Sequence, residues 1–220
     1  MIEVEEGVKI LNLNTSGLPY TIRLYGVTDE MFDEVVDEDL KAELIDGVLI
    51  MHSPASMWHE DIASFLGSLM RLFVDAKGLG KFIARGHAII RLATGRRLSP
   101  DGFFIRQARV PSPLPKEFEG APDLVVEVLS PSNRKDDLED KRLVYQEAGV
   151  PEIWFIDGED KQLIIDRKHG GGYVEEVITN GRAYSTVLGG FWIYVAWLWA
   201  EPLPNGMTCL QEILSGGQTK

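Results

Sequence analysis

One cysteine is all that the chain contains, Cys209 among 220 residues. That excludes an internal disulfide and a Cys-rich zinc site, and makes an intracellular, cytoplasmic setting the expectation. Long apolar runs are missing as well. The longest, Phe191 to Ala200 (FWIYVAWLWA), falls short of the roughly 20 residues a membrane-spanning helix needs, so no membrane association is expected. It reads as a strand entering a short helix, with Trp192, Trp197 and Trp199 as core or as an oligomer contact. The first residues (MIEVEEGVKI) have neither the basic start nor the apolar centre of a signal peptide. Basic charge is scarce: 22 Lys and Arg against 34 Asp and Glu give a formal net charge of -12, which argues against a general nucleic-acid coat. No glycine-rich phosphate loop, His-based metal motif or nucleophilic-serine elbow occurs, so a nucleotide cofactor and acyl transfer drop out.

What is present suffices for one globular unit, 45% hydrophobic and 25% charged. We divide it into an N-terminal extension with a short helix (residues 1–40), a principal domain (41–200) and a C-terminal tail (201–220). Thr28 caps an acidic helix, Asp29 to Val36. Asp46-Gly47 turns a hairpin within Ala42 to His52. Ser56 opens the longest helix, which ends near Gly78 and carries a stripe of Ile62, Phe65, Leu66, Leu69, Leu72 and Phe73. Three strands follow, Lys81 to Arg91, Leu98 to Arg106 and Asp123 to Leu129. Then come a helix, Lys135 to Ala148, a strand, Glu152 to Asp157, and a hairpin of Gln162 to Arg167 with Tyr173 to Thr179. The order helix, three strands, helix, strand, with β additions at both ends, predicts a mixed α/β sandwich with helices on the sheet faces.

Two charges stand where apolar residues belong. Glu127 interrupts the apolar run DLVVEVL of an interior strand, so it points into protein or a cleft and needs a partner, a metal or a raised pKa. Lys141 falls inside the apolar arc that Leu138, Val144, Tyr145 and Ala148 trace on the following helix, so it faces the sheet. The two form either a buried ion pair or the paired charge of an active site; snorkelling along the helix edge is the other reading of Lys141. Pro100-Asp101 starts the second strand. Asp123 and Glu127, four residues apart on one strand, are roughly 13 Å apart and cannot share a metal, whereas Asp101 comes from a neighbouring strand only about 5 Å away. Asp101 and Glu127 can therefore converge on one hard cation. His59, on the edge of the long helix stripe, is either a buried histidine bonded to a carbonyl or a group near that site. Glu43 in the hairpin arm reads locally as a solvated charge. The basic residues Arg85, His87, Arg91, Arg96 and Arg97, and Arg134, Lys135, Lys141 and Arg142, form two mid-chain clusters; singly, each reads as part of a solvated face.

Glu43-Leu44-Ile45-Asp46-Gly47, Ser53-Pro54 with His59, Pro100-Asp101, GAPDLVVEVLSPS from Gly120, then Lys141, Tyr145, GVPEIW from Gly149 and Asp157 together resemble the Uma-type restriction-endonuclease-like proteins of the PD-(D/E)xK nuclease superfamily. The resemblance spans about Ala42 to Leu198. It implies the superfamily's restriction-endonuclease-like core, with a mixed sheet, flanking helices and extra β-hairpins. Asp101 looks like the motif aspartate and Glu127 like the motif acid; the motif lysine position is Leu129, and Lys141 is its natural replacement. The activity implied is metal-assisted hydrolysis of DNA phosphodiester bonds. Asp101, Glu127 and the Val128 carbonyl would hold Mg²⁺ or Mn²⁺, Lys141 would act on water or phosphate, and Glu43 and His59 would support them. A homodimer would suit cutting both strands. The alternative is a non-catalytic dimeric binding or scaffold protein on the same fold.

Overall fold

Ser56 accepts a hydrogen bond from the His59 amide at 3.2 Å, and Gly78 stands in the left-handed region at φ 61°. Between these caps lies the long helix, as expected. The computed structural model describes residues 10–11, 20–37, 40–84, 88–130, 134 and 137–216. In chain order its elements are β1 (Ile10–Leu11), β2 (Thr21–Tyr25), α1 (Asp29–Val35), β3 (Ala42–Ile45), β4 (Val48–His52), α2 (Met57–Lys77), β5 (Gly80–Ala84), β6 (Ile89–Ala93), β7 (Arg96–Leu98), β8 (Gly102–Arg106), β9 (Glu117–Glu119) and β10 (Leu124–Leu129). A π-helical turn, Asp137–Lys141, then enters α3 (Arg142–Ala148), followed by β11 (Glu152–Asp157), β12 (Gln162–His169), β13 (Gly172–Ile178), β14 (Arg182–Tyr184), β15 (Trp192–Tyr194) and α4 (Gly206–Leu214).

A central sheet has the order β13-β12-β11-β10-β8-β5, and a second has the order β1-β2-β4-β3-β7-β6-β9. β10 runs parallel to β11 and antiparallel to β8. Thus α2, β5, β8, β10, α3 and β11 realise the helix, three strands, helix, strand order, in a mixed α+β fold with helices against mixed sheets. Alternation along β10 divides its side chains. Leu124, Val126 and Val128 pack with α2 residues such as Ile62, Leu66 and Phe73, and α4 adds Cys209, Leu210 and Ile213 to that layer. Val125 and Leu129 pack on the other side with Val144 and Tyr145 of α3 and with Ile90 and Leu98 of the second sheet. α1 covers that sheet's far side through Phe32, against Leu44 and Leu49. Glu127 shares the face of Val125 and Leu129, and so looks toward α3.

Two expected strands divide. Lys81 to Arg91 splits into β5 and β6, which belong to different sheets, and the break at 85–87 lies outside the described residues. Leu98 to Arg106 also splits, β7 pairing with β3 and β6 while β8 joins the central sheet. Ser99-Pro100-Asp101 makes the crossing: Pro100 has no N–H to give a ladder, and the Asp101 side chain accepts the Val128 amide. Arg85, His87, Lys135 and Asp136 likewise lie outside the described residues.

The Asp46-Gly47 hairpin is present, with φ 49° and 84°, the left-handed pair that a tight β-turn requires. Gly47→Ala should destabilise the fold by about 1 kcal/mol in urea titration, because alanine resists that conformation. A loss below a few tenths would contradict this account of the turn.

Candidate active site

The last described pairing of β8 with β10 joins Gly102 to Val126, so Asp101 stands one position further along, beside Glu127. Asp101 Oδ2 accepts the Val128 amide at 2.8 Å and lies 3.2 Å from His59 Nε2 on α2; Lys41 Nζ donates to Oδ1 at 3.1 Å. Behind it, Lys141 Nζ lies 3.0 Å from Glu43 Oε2 and 3.4 Å from Glu127 Oε1, and the Tyr145 hydroxyl donates to that same Glu127 oxygen at 2.6 Å. Glu43 Oε1 accepts the Ser99 amide at 3.0 Å, which ties the second sheet to the crossing segment. Glu43 is therefore buried rather than solvated, because β3 turns this residue toward the central sheet while Leu44 faces α1.

All five expected side chains gather at the C-terminal end of β10. Asp101, Glu127, Glu43, His59 and Lys141 are all buried, and His59 bonds to Asp101 rather than to a carbonyl. Val128 contributes its N–H to Asp101. Leu129, at the motif lysine position, is core. Lys41 and Tyr145 complete the cluster without having been expected there. Both have a sequence signal: Lys41 precedes Glu43 by two residues, the spacing of one strand face, and Tyr145 follows Lys141 by four, the spacing of one helix face.

The cluster is layered. A cleft of about 1260 Å³ runs along α2, and Asp101 and Lys41 line it, whereas Glu43, Glu127 and Lys141 do not. The described arginines of the two mid-chain basic clusters pair with carboxylates, and Arg97 is buried rather than part of a solvated face. Arg91 and Arg97 pair with Asp29, Arg96 with Asp46 and Glu147, Arg134 with Asp157, and Arg142 with Asp166 and Glu175.

Burial opposes ionisation of Asp101, but Lys41, His59 and the Val128 amide outweigh it and hold its pKa well below the ordinary 3.8. Burial also opposes the His59 imidazolium, and the bond to Asp101 outweighs that, raising its pKa above 6.5. The Asp101 contribution to stability is present above about pH 3.8 and is lost as pH falls through the lowered value. That of His59 is present below about pH 6.5 and is lost as pH rises through the raised value. His59→Gln should therefore destabilise the metal-free protein most between roughly pH 4 and 6.5, and progressively less above neutrality. Urea titrations across pH measure this, and a loss that grows with pH would refute the assignment.

The helix and sheet frame is the restriction-endonuclease-like fold. Residues 29–196 match the Uma2 family, described as "Putative restriction endonuclease", and the chain belongs to that family. None of the curated proteins compared with it matches. Among solved structures it is similar to "a putative nuclease belonging to DUF820" from Anabaena variabilis, with a TM-score of 0.69 and 18% identity over 79% of this chain and 97% of the other. At that identity the likeness concerns the fold. Among the described residues no helix is long and apolar enough to cross a membrane.

Proposed function

We propose that the protein is a metal-dependent nuclease that hydrolyses phosphodiester bonds of DNA, with Asp101 and Glu127 as the acids of its active centre. The observation carrying this reading is the placement of two buried carboxylates side by side, each against an ammonium group, with Asp101 lining the cleft and Glu127 behind it. Membership of the Uma2 family agrees with it.

The donor set suits a hard divalent cation. Among the described residues no group of three or more His, Cys, Asp or Glu could hold a metal ion. Mg²⁺ needs no such cage, since it retains waters and uses one or two carboxylates with substrate phosphate. Asp101 and Glu127, with the Val128 carbonyl, would hold Mg²⁺ or Mn²⁺. Bound there, the cation would supply positive charge that polarises a phosphate oxygen and acidifies water. The remaining roles belong to the chain. His59 and the Val128 amide aim Asp101; Tyr145 and Lys141 aim Glu127; Glu43 balances Lys141; and Lys41 is the cation of the cluster that reaches the cleft.

The sealing of Lys141 between two glutamates favours a second reading, a non-catalytic scaffold whose charges are satisfied internally. Incubation of plasmid and single-stranded DNA with Mg²⁺, Mn²⁺ or EDTA separates the two. Cleavage that requires the metal supports the nuclease; no cleavage, together with no metal binding by calorimetry, leaves the scaffold.

A further inference from the structure

Trp58 is 36% exposed at the start of α2, although the helix presents most of its large apolar residues to the core. It lines the same cleft as Asp101 and Lys41. Its ring is held from behind: Trp199 lies nearly parallel at 6.5 Å between centroids, and a Cβ on Gly158 would fall 2.1 Å from the indole. The result is a rigid aromatic surface beside the candidate acids.

The rest of the cleft is poorly suited to a duplex. It follows α2 from Met57 to Arg71, roughly 21 Å at 1.5 Å per residue. A duplex of that length carries about a dozen phosphates. Against them the described residues of the cleft set two cations, Lys41 and Arg71, and three acids, Glu60, Asp61 and Asp101. Both cations already have carboxylate neighbours, Asp101 at 3.1 Å and Asp75 at 3.9 Å. An unpaired strand can turn most phosphates to solvent and its bases inward, drawing affinity from stacking in place of charge.

We propose that the α2 cleft receives an unpaired DNA strand, one base packing on Trp58 and the phosphate to be cut resting on Lys41. This deepens the nuclease reading and rests on it. It also separates two lysines: Lys41 touches substrate, whereas Lys141 positions the acids behind it.

The test is fluorescence anisotropy of a labelled oligonucleotide, single-stranded and as the same-length duplex, in EDTA and again in Ca²⁺. Wild type should bind the single strand at least about tenfold more tightly. Trp58→Ala should lose on the order of tenfold of that affinity, while Trp58→Phe, which keeps a ring, retains most of it. Lys41→Ala should reduce the slope of log affinity against log salt by about 0.7, the share of one phosphate contact on a single strand, and Lys41→Arg should preserve the slope. Duplex bound as tightly as single strand, or Trp58→Ala and Lys41→Ala behaving as wild type, would overturn the proposal. Metal-dependent cleavage alongside either result would leave the nuclease reading standing. Wild type that neither binds nor cleaves DNA would overturn both.

Discussion

Lys141→Met should lower stability by about 3–5 kcal/mol, and the melting temperature by roughly 10 °C, making it the most damaging single change in the cluster. Lys141 is 3% exposed and lies against Glu43 and Glu127, each 1% exposed. Removing the ammonium would leave two buried carboxylates, Glu127 with the Tyr145 hydroxyl and Glu43 with the Ser99 amide and, at 3.9 Å, the His52 imidazole. Keeping two acids buried without the ammonium between them is costly. Methionine keeps most of the side-chain volume, so the loss reports charge rather than a cavity. Adding Glu43→Gln to Lys141→Met should restore part of it, because the residual like-charge contact disappears. Urea titration of the two single variants and the double variant measures the coupling. A Lys141→Met loss below about 1 kcal/mol would mean that water or relaxation compensates the acids, and the sealed description would fail.

Asp101→Asn should reduce metal-dependent cleavage on the order of 10³-fold, several kcal/mol of transition-state stabilisation, while leaving the fold intact. Asparagine preserves the shape and can still accept the Val128 amide, so the crossing between β7 and β8 keeps its anchor. The charge goes, and with it the partner that holds Lys41 and His59. A second readout follows: without the carboxylate, burial dominates His59, and its pKa in an NMR titration should fall. Activity within tenfold of wild type would remove Asp101 from the active centre. Lost activity with an unchanged His59 titration would show that the Asp101–His59 bond is not what raises that pKa.

The sequence made the local parts of this architecture readable. Ser56, the stripe from Ile62 to Phe73, and Gly78 define α2 because capping and helical spacing act over a few residues. The same holds for the Asp46-Gly47 turn and for the β10, α3 and β11 run, whose periods bring Glu127 and Lys141 together. The sheet to which a strand belongs is a different matter. Residues 81–106 have strand-like composition nearly throughout, and their division between two sheets depends on partners far away in sequence, β3 for β7 and β10 for β8. Lys41 shows a related limit: its spacing places it on the face of Glu43, but nothing near it signals Asp101, 60 residues away. The tail from residue 201 shows the same limit, because α4 gains its place through Cys209, Leu210 and Ile213 only when α2 is already present.

The Ser99-to-Asp101 crossing makes the cluster a seam between two separately hydrogen-bonded sheets. Glu43 comes from one side and Asp101 and Glu127 from the other, with Lys41 immediately before β3 and Lys141 lodged where the sides meet. A chain cut back to α2, β5, β8, β10, α3 and β11 would keep the frame common to such folds yet shed Lys41 and Glu43, leaving Asp101 with His59 and the Val128 amide but no ammonium, and Lys141 against Glu127 without its nearer acid. The outlying sheet is therefore a joint owner of the candidate centre, and drift in its packing can shift the cluster's charges without altering any residue of the frame.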